Sequence, residues 1–96
     1  MANYQTREDV LTDELVERVE KLVEDKHLVV YNDDVNTFDH VIESLVTICD
    51  HSEEQAEQCA IMVHFKGRAS VREGHFNKLQ PMKTALTDRG ISAVIE

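Results

Sequence analysis

The stretch His27-Leu28-Val29-Val30-Tyr31-Asn32-Asp33-Asp34-Val35-Asn36-Thr37-Phe38 changes character twice within a few residues. His27 to Asn32 is rich in β-branched and aromatic side chains and reads as a strand. Asn32 to Asn36 then supplies short polar side chains that bond their own backbone, which is what a turn needs. Asn36 or Thr37 stands where a helix N-cap is wanted. From Phe38 the spacing is helical, with Phe38, Val41, Ile42, Leu45, Val46 and Cys49 recurring on one face. A strand is thus followed at once by a helix able to cover it.

Downstream, Asp50-His51-Ser52 breaks the helix, and Ser52 with Gln55 three residues on is a capping-box pattern. The next helix carries Ala56, Cys59, Ala60, Val63 and His64, and Gly67 sits where a left-handed C-cap belongs. Arg68 to Arg72 alternates apolar and polar residues and predicts a second strand, with Glu73-Gly74 turning the chain. A further helix spans about Phe76 to Asp88. Pro81 lacks an N–H and crowds the preceding turn, so a loose start before it and a regular helix after it are expected. Gly90 closes that helix, and Ile91 to Ile95 makes the last strand. The order β-α-α-β-α-β defines an α+β sandwich, with a three-stranded antiparallel sheet and three helices on one face.

Upstream, Met1 to Arg7 reads as a frayed terminus. Asp9 to Asp25 shows near-helical spacing in Leu15, Val19 and Leu22, with Thr12 placed to cap a start. Its β-branched content leaves a strand or a mobile arm open as well. The chain therefore divides into an acidic extension, 1–26, helical in part, and a single folded domain, 27–96. Ninety-six residues can bury only one modest core.

Hydrophobic residues make up 42% and charged residues 30%, ordinary values for a globular fold. The net charge is −9, of which residues 1–34 carry −6 (four basic, ten acidic). Such a chain repels nucleic-acid phosphate and attracts cationic groups. No apolar run is long enough to cross a bilayer, and the front carries no signal-peptide pattern. Cys49 and Cys59 stand ten residues apart on separate helices, which is no metal or redox spacing. Reduced thiols in a cytoplasmic protein are expected, with a disulfide between them left open.

Three features bear on chemistry. Taken alone, Asn32-Asp33-Asp34 is a polar turn. His64, near a helix C-terminus, is by itself a surface histidine favoured by the helix dipole. The Ala60, Val63, His64 face, like Phe38 and Val41, is by itself core. Asp33, Asp34, His40 and His64 could be assembled into a metal site, but no two of them share a helix face at i, i+4. No nucleophile elbow or glycine-rich phosphate loop is present. The sequence therefore carries no positive sign of catalysis, of a metal or of a cofactor.

Taken together, Asn32-Asp33-Asp34-Val35-Asn36-Thr37 and Ala60-Ile61-Met62-Val63-His64-Phe65-Lys66-Gly67 resemble the two signatures of the ClpS family. Thirty-two residues separate Asn32 from His64, and the resemblance covers about residues 28 to 96. It implies a non-catalytic, monomeric adaptor. Such an adaptor binds proteins whose exposed first residue is bulky and apolar, the N-degrons, and delivers them to the N-terminal domain of a ClpA- or ClpC-type ATPase. By position it implies that Asn32, Asp33 and His64 surround the free amine. Asp34, Asn36, Phe38, Val41, Ala60, Val63 and Ile91 would then lie at or near the side-chain pocket, and Lys78 and Lys83 on the ATPase-docking face. Phe38 stands where many members have methionine, and Ala60 where a larger residue is often found. Two other expectations compete with this one. One is an α+β interaction module without an amine pocket, and the other is a hydrolase using a metal at Asp33, Asp34 and His64.

Overall fold

The computed structural model describes residues 12–96, apart from the side chains of Leu22 and Val23. The expected frayed terminus and the expected helix start at Asp9 fall outside the described residues. Seven elements follow in order. They are α1 (Asp13–Val23), β1 (Lys26–Tyr31), α2 (Phe38–Cys49), α3 (Glu53–Lys66), β2 (Arg68–Gly74), α4 (Phe76–Asp88) and β3 (Ala93–Ile95). The class is α+β, as the alternation predicts, with a fourth helix in the front segment. There the Thr12 hydroxyl accepts from the Leu15 N–H at 3.3 Å, which caps α1.

The sheet order is β2-β1-β3, antiparallel throughout, so the strand read first from the sequence lies at the centre. Val30 pairs with Ala69 on one side and Ala93 on the other. A bulge interrupts the β1–β2 register between Leu28 and Val29. Leu28 and Val30 pack with Leu45, Cys49, Val63, Leu79 and Leu86 to form the core. Val29 is also buried but lies outside that cluster.

Thr37 is the α2 N-cap, its hydroxyl accepting from the His40 N–H at 3.1 Å. Val46, expected on the buried face, is 37% exposed, because the helix turns Ser44, Leu45 and Cys49 inward instead. Asp50 ends α2 in the left-handed region at φ 55°. Ser52 caps α3 through the Gln55 N–H at 3.1 Å, and Gly67 ends it at φ 89°. Between the two helices, His51 is buried and its Nε2–H donates to the Val71 carbonyl at 2.6 Å. Arg72 donates to the Cys49 carbonyl at 3.0 Å. These two bonds pin the α2–α3 corner to β2, while Ala56 and Ala60 let α3 lie close to its neighbours.

Three boundaries differ from expectation. β2 continues to Gly74, because its pairing with Lys26 and His27 extends the ladder past Arg72. Helix α4 runs unbroken through Pro81. Its first turn is tightened, the His75 carbonyl accepting from both Lys78 and Leu79. The third departure is Ile91, which belongs to the helix cap and not to β3. Gly90, at φ 80°, donates to the Thr87 carbonyl at 2.9 Å, and Ile91 donates to the Leu86 carbonyl at 3.0 Å. That is a Schellman ending, with Leu86 and Ile91 both in the core.

Candidate functional site

The loop after β1, the first turns of α2 and the last turns of α3 meet at one corner of the sandwich. The Asn32 N–H donates to the Gly67 carbonyl at 2.9 Å, so the loop is anchored where α3 ends. Asp33 then folds the loop around its own carboxylate. Its Oδ1 accepts from the Val35 N–H at 3.0 Å and the Asn36 N–H at 2.9 Å, and its Oδ2 accepts from Asn36 Nδ2 at 2.8 Å. The same Asn36 Nδ2 donates to the Gly90 carbonyl, also at 2.8 Å.

Between these elements lies a cleft of about 300 Å³. Asn32, Asp33, Asp34 and Asn36 line it from the loop, Phe38 and Val41 from α2, and Ala60, Val63 and His64 from α3. A smaller hollow of about 20 Å³ continues it, walled by Tyr31, Val41, Val63 and Ile91 among others. Ala60 and Val63 are buried, whereas Phe38 is 39% exposed and His64 lies at the surface. The His64 ring meets Phe38 edge-on at 6.4 Å between centroids, and Phe65 at 5.0 Å.

The electrostatics follow from the loop. The Asn36 backbone N–H does most to hold the Asp33 carboxyl below the usual carboxylate range. Burial opposes this, and the Val35 N–H and the side chains of Asn36 and Ser92 add to it. The corner therefore presents a fixed negative charge, further polar acceptors and an apolar floor. That combination suits a ligand with a cationic donor group next to an apolar body.

The structure gathers Asn32, Asp33, Asp34, Asn36, Phe38, Val41, Ala60, Val63 and His64 onto the main cleft, and places Ile91 on its inner continuation. Lys78 and Lys83 lie on α4 and line neither part. Sequence reasoning missed Tyr31, a wall of the inner hollow, because strand alternation groups it with Val29 on the face away from the core cluster. It also missed the carbonyl of Gly90, which no side-chain pattern can announce. Among the described residues, no group of three metal-ligating side chains is assembled. Among the same residues, no helix is long and apolar enough to cross a membrane.

A sequence model described as the ATP-dependent Clp protease adaptor protein ClpS matches residues 21–93, so the chain belongs to the ClpS family. Its role is accordingly that of a Clp protease adaptor, in a generally non-catalytic family whose partners are Clp ATPases and their substrates. Among solved structures, the fold is similar to Agrobacterium tumefaciens ClpS2 bound to L-phenylalaninamide, with a TM-score of 0.66 and 18% identity. That match covers 76% of this chain and 95% of the other. No curated protein sequence matches the chain.

Proposed function

We propose that the cleft holds the free N-terminal residue of a substrate protein, the N-degron, for delivery to the N-terminal domain of a ClpA- or ClpC-type ATPase. The observation that carries this reading is the meeting of Asn32, Asp33 and His64 with the apolar floor of Val41, Ala60 and Val63 in one cleft. An α-ammonium has three N–H donors and a positive charge. Asn32 and neutral His64 supply acceptors, and Asp33 supplies the opposite charge. Charge-assisted bonds of this kind are worth about 1.5–3 kcal/mol each. An internal peptide nitrogen offers one donor and no charge, and it would leave acceptors unpaired. The relative's bound L-phenylalaninamide has this same pairing of a free amine with an apolar side chain.

The Asp33 carboxylate already accepts three internal bonds, so it acts mainly through its charge and through the shape it gives the loop. Burying a Leu or Phe side chain adds roughly 1.5–3 kcal/mol. Offset by the cost of association, the sum suits micromolar affinity. Phe38 narrows the rim, and buried Ala60 leaves room in the wall for large or β-branched first residues. Lys78 and Lys83 on α4 are proposed to meet the ATPase. The adaptor acts as a monomer in the cytoplasm, where the free thiols of Cys49 and Cys59 persist.

A labelled peptide beginning with Phe, followed by fluorescence anisotropy, tests the reading. Binding in the micromolar range is expected. N-acetylation should abolish it, and His64→Ala should weaken it by about tenfold. Equal binding of the acetylated peptide would refute the proposal.

A further inference from the structure

The turn that follows α4 touches the cleft from behind. Gly90 offers its carbonyl to Asn36 at 2.8 Å, Ile91 walls the inner hollow, and Ser92 adds to the donors around the Asp33 carboxylate. Two further bonds tie this turn to α2. His40 Nε2–H donates to the Arg89 carbonyl at 3.0 Å, and Arg89 Nη1 donates to the Ser44 hydroxyl, which is fully buried, at 3.2 Å. His40 itself lines neither part of the cleft. The carbonyl partner fixes which ring nitrogen of His40 carries hydrogen, since only Nε2–H can donate to it.

From this arrangement we infer that His40 and Asn36 are positioning residues. They brace the Arg89–Gly90 turn against α2 and the amine-binding loop, and so hold the cleft in its binding shape. The two hydrogens of Asn36 Nδ2 have protein partners, Asp33 and Gly90, so its amide nitrogen aims away from a ligand. The Asp33 carboxylate is thereby tied through one side chain to a turn 57 residues further along the chain. Without the brace, the Gly90 carbonyl drifts from Asn36, Asn36 Nδ2–H loses an acceptor, and the negative charge no longer sits at a fixed place in the cleft. A cleft that must be ordered at the moment of binding grips more weakly than one already in shape.

The inference rests on the N-degron reading, and its test separates the two. The probe is the labelled Phe-initiated peptide, with the carboxyl carbon of Asp33 titrated by NMR as a readout independent of binding. In His40→Leu, which loses the donor, affinity should fall by about fivefold and the Asp33 titration should move up toward its ordinary value. In His40→Gln, whose amide can replace Nε2–H, both should stay near those of the unaltered protein. Combining His40→Leu with Asn36→Ala should cost less than the sum of the two, because both act through one turn. Should His40→Leu fail to fold, Ser44→Ala, which removes the acceptor of Arg89 Nη1 without touching the cleft or Asp33, loosens the same turn. It should shift affinity and the Asp33 titration in the same directions, unchanged values overturning the inference. Unchanged affinity and unchanged Asp33 titration in a folded His40→Leu protein overturn the inference. If the unaltered protein binds no Phe-initiated peptide, the N-degron reading falls, and the Asp33 titration alone then supports or overturns the brace.

Discussion

Cys49 shows how strongly one side chain can register its surroundings. It is fully buried at the C-terminal end of α2, and burial pushes its thiol up from 9.0 to about 11, with Arg72 opposing. The unfolded thiol ionises near 9.0 and the folded one only near 11. Its contribution to stability is therefore complete below about pH 9 and lost as pH rises through 11. Chemical denaturation between pH 8 and 11 should show a falling midpoint, and Cys49→Ala should flatten part of that fall. An identical slope in the variant would show that another group carries the effect. Cys59, on the next helix, is half-buried, and burial raises its thiol as well. At the same scale, caps were legible because they are local. Thr12, Thr37, Ser52 and Gly67 each act within three or four residues of their own position. The brace of His40 on Arg89 spans 49 residues, and nothing local distinguishes that histidine from an ordinary surface one.

Among the elements, α4 departs most from its sequence expectation. Pro81 leaves the Asn77 carbonyl without its usual helical donor, yet the helix continues. Leu79 and Leu86, on either side of the proline, are fully buried, and their packing overrides the local penalty. Pro81 itself is exposed, so removing it opens no cavity. Pro81→Ala should therefore stabilise the protein by about 1–3 kcal/mol in urea denaturation. A destabilised variant would mean that the ring supports the tightened first turn of α4. The last strand was misread for a related reason. Ile91 is apolar and β-branched, which suits a strand, but its N–H is drawn back to Leu86 by the glycine cap. Most of the cleft was readable only because two short runs, one from Asn32 to Thr37 and one from Ala60 to Gly67, together resemble the ClpS signatures; alone, each reads as a polar turn, a surface histidine or core. The backbone groups and the inner wall were not readable, since they depend on where distant elements come to rest.

At the scale of the molecule, the folded sandwich and α1 are unequal parts. None of the described α1 side chains belongs to the core cluster, and Val16 and Val19 are 43% and 50% exposed. The ion pair of Glu24 with Lys26 lies near the surface and adds little. Deleting residues 1–24 should leave a folded domain whose thermal midpoint lies within about 3 °C of the parent. Its affinity for a Phe-initiated peptide should stay within about twofold. Circular dichroism and anisotropy would check both, and loss of the cooperative transition would show that the front segment is part of the fold. Because this segment holds much of the negative charge, its removal leaves a less acidic protein around an unaltered cleft.

The cleft also has an optical consequence. The chain contains no tryptophan, so excitation near the red edge of indole absorption finds no protein emitter. A peptide with Trp as its first residue would then be its own reporter. The ring would lie against Val41 and Val63 with one edge toward water, and its emission would shift modestly to the blue on entry. Occupancy could be followed in this way without attaching a dye to either partner.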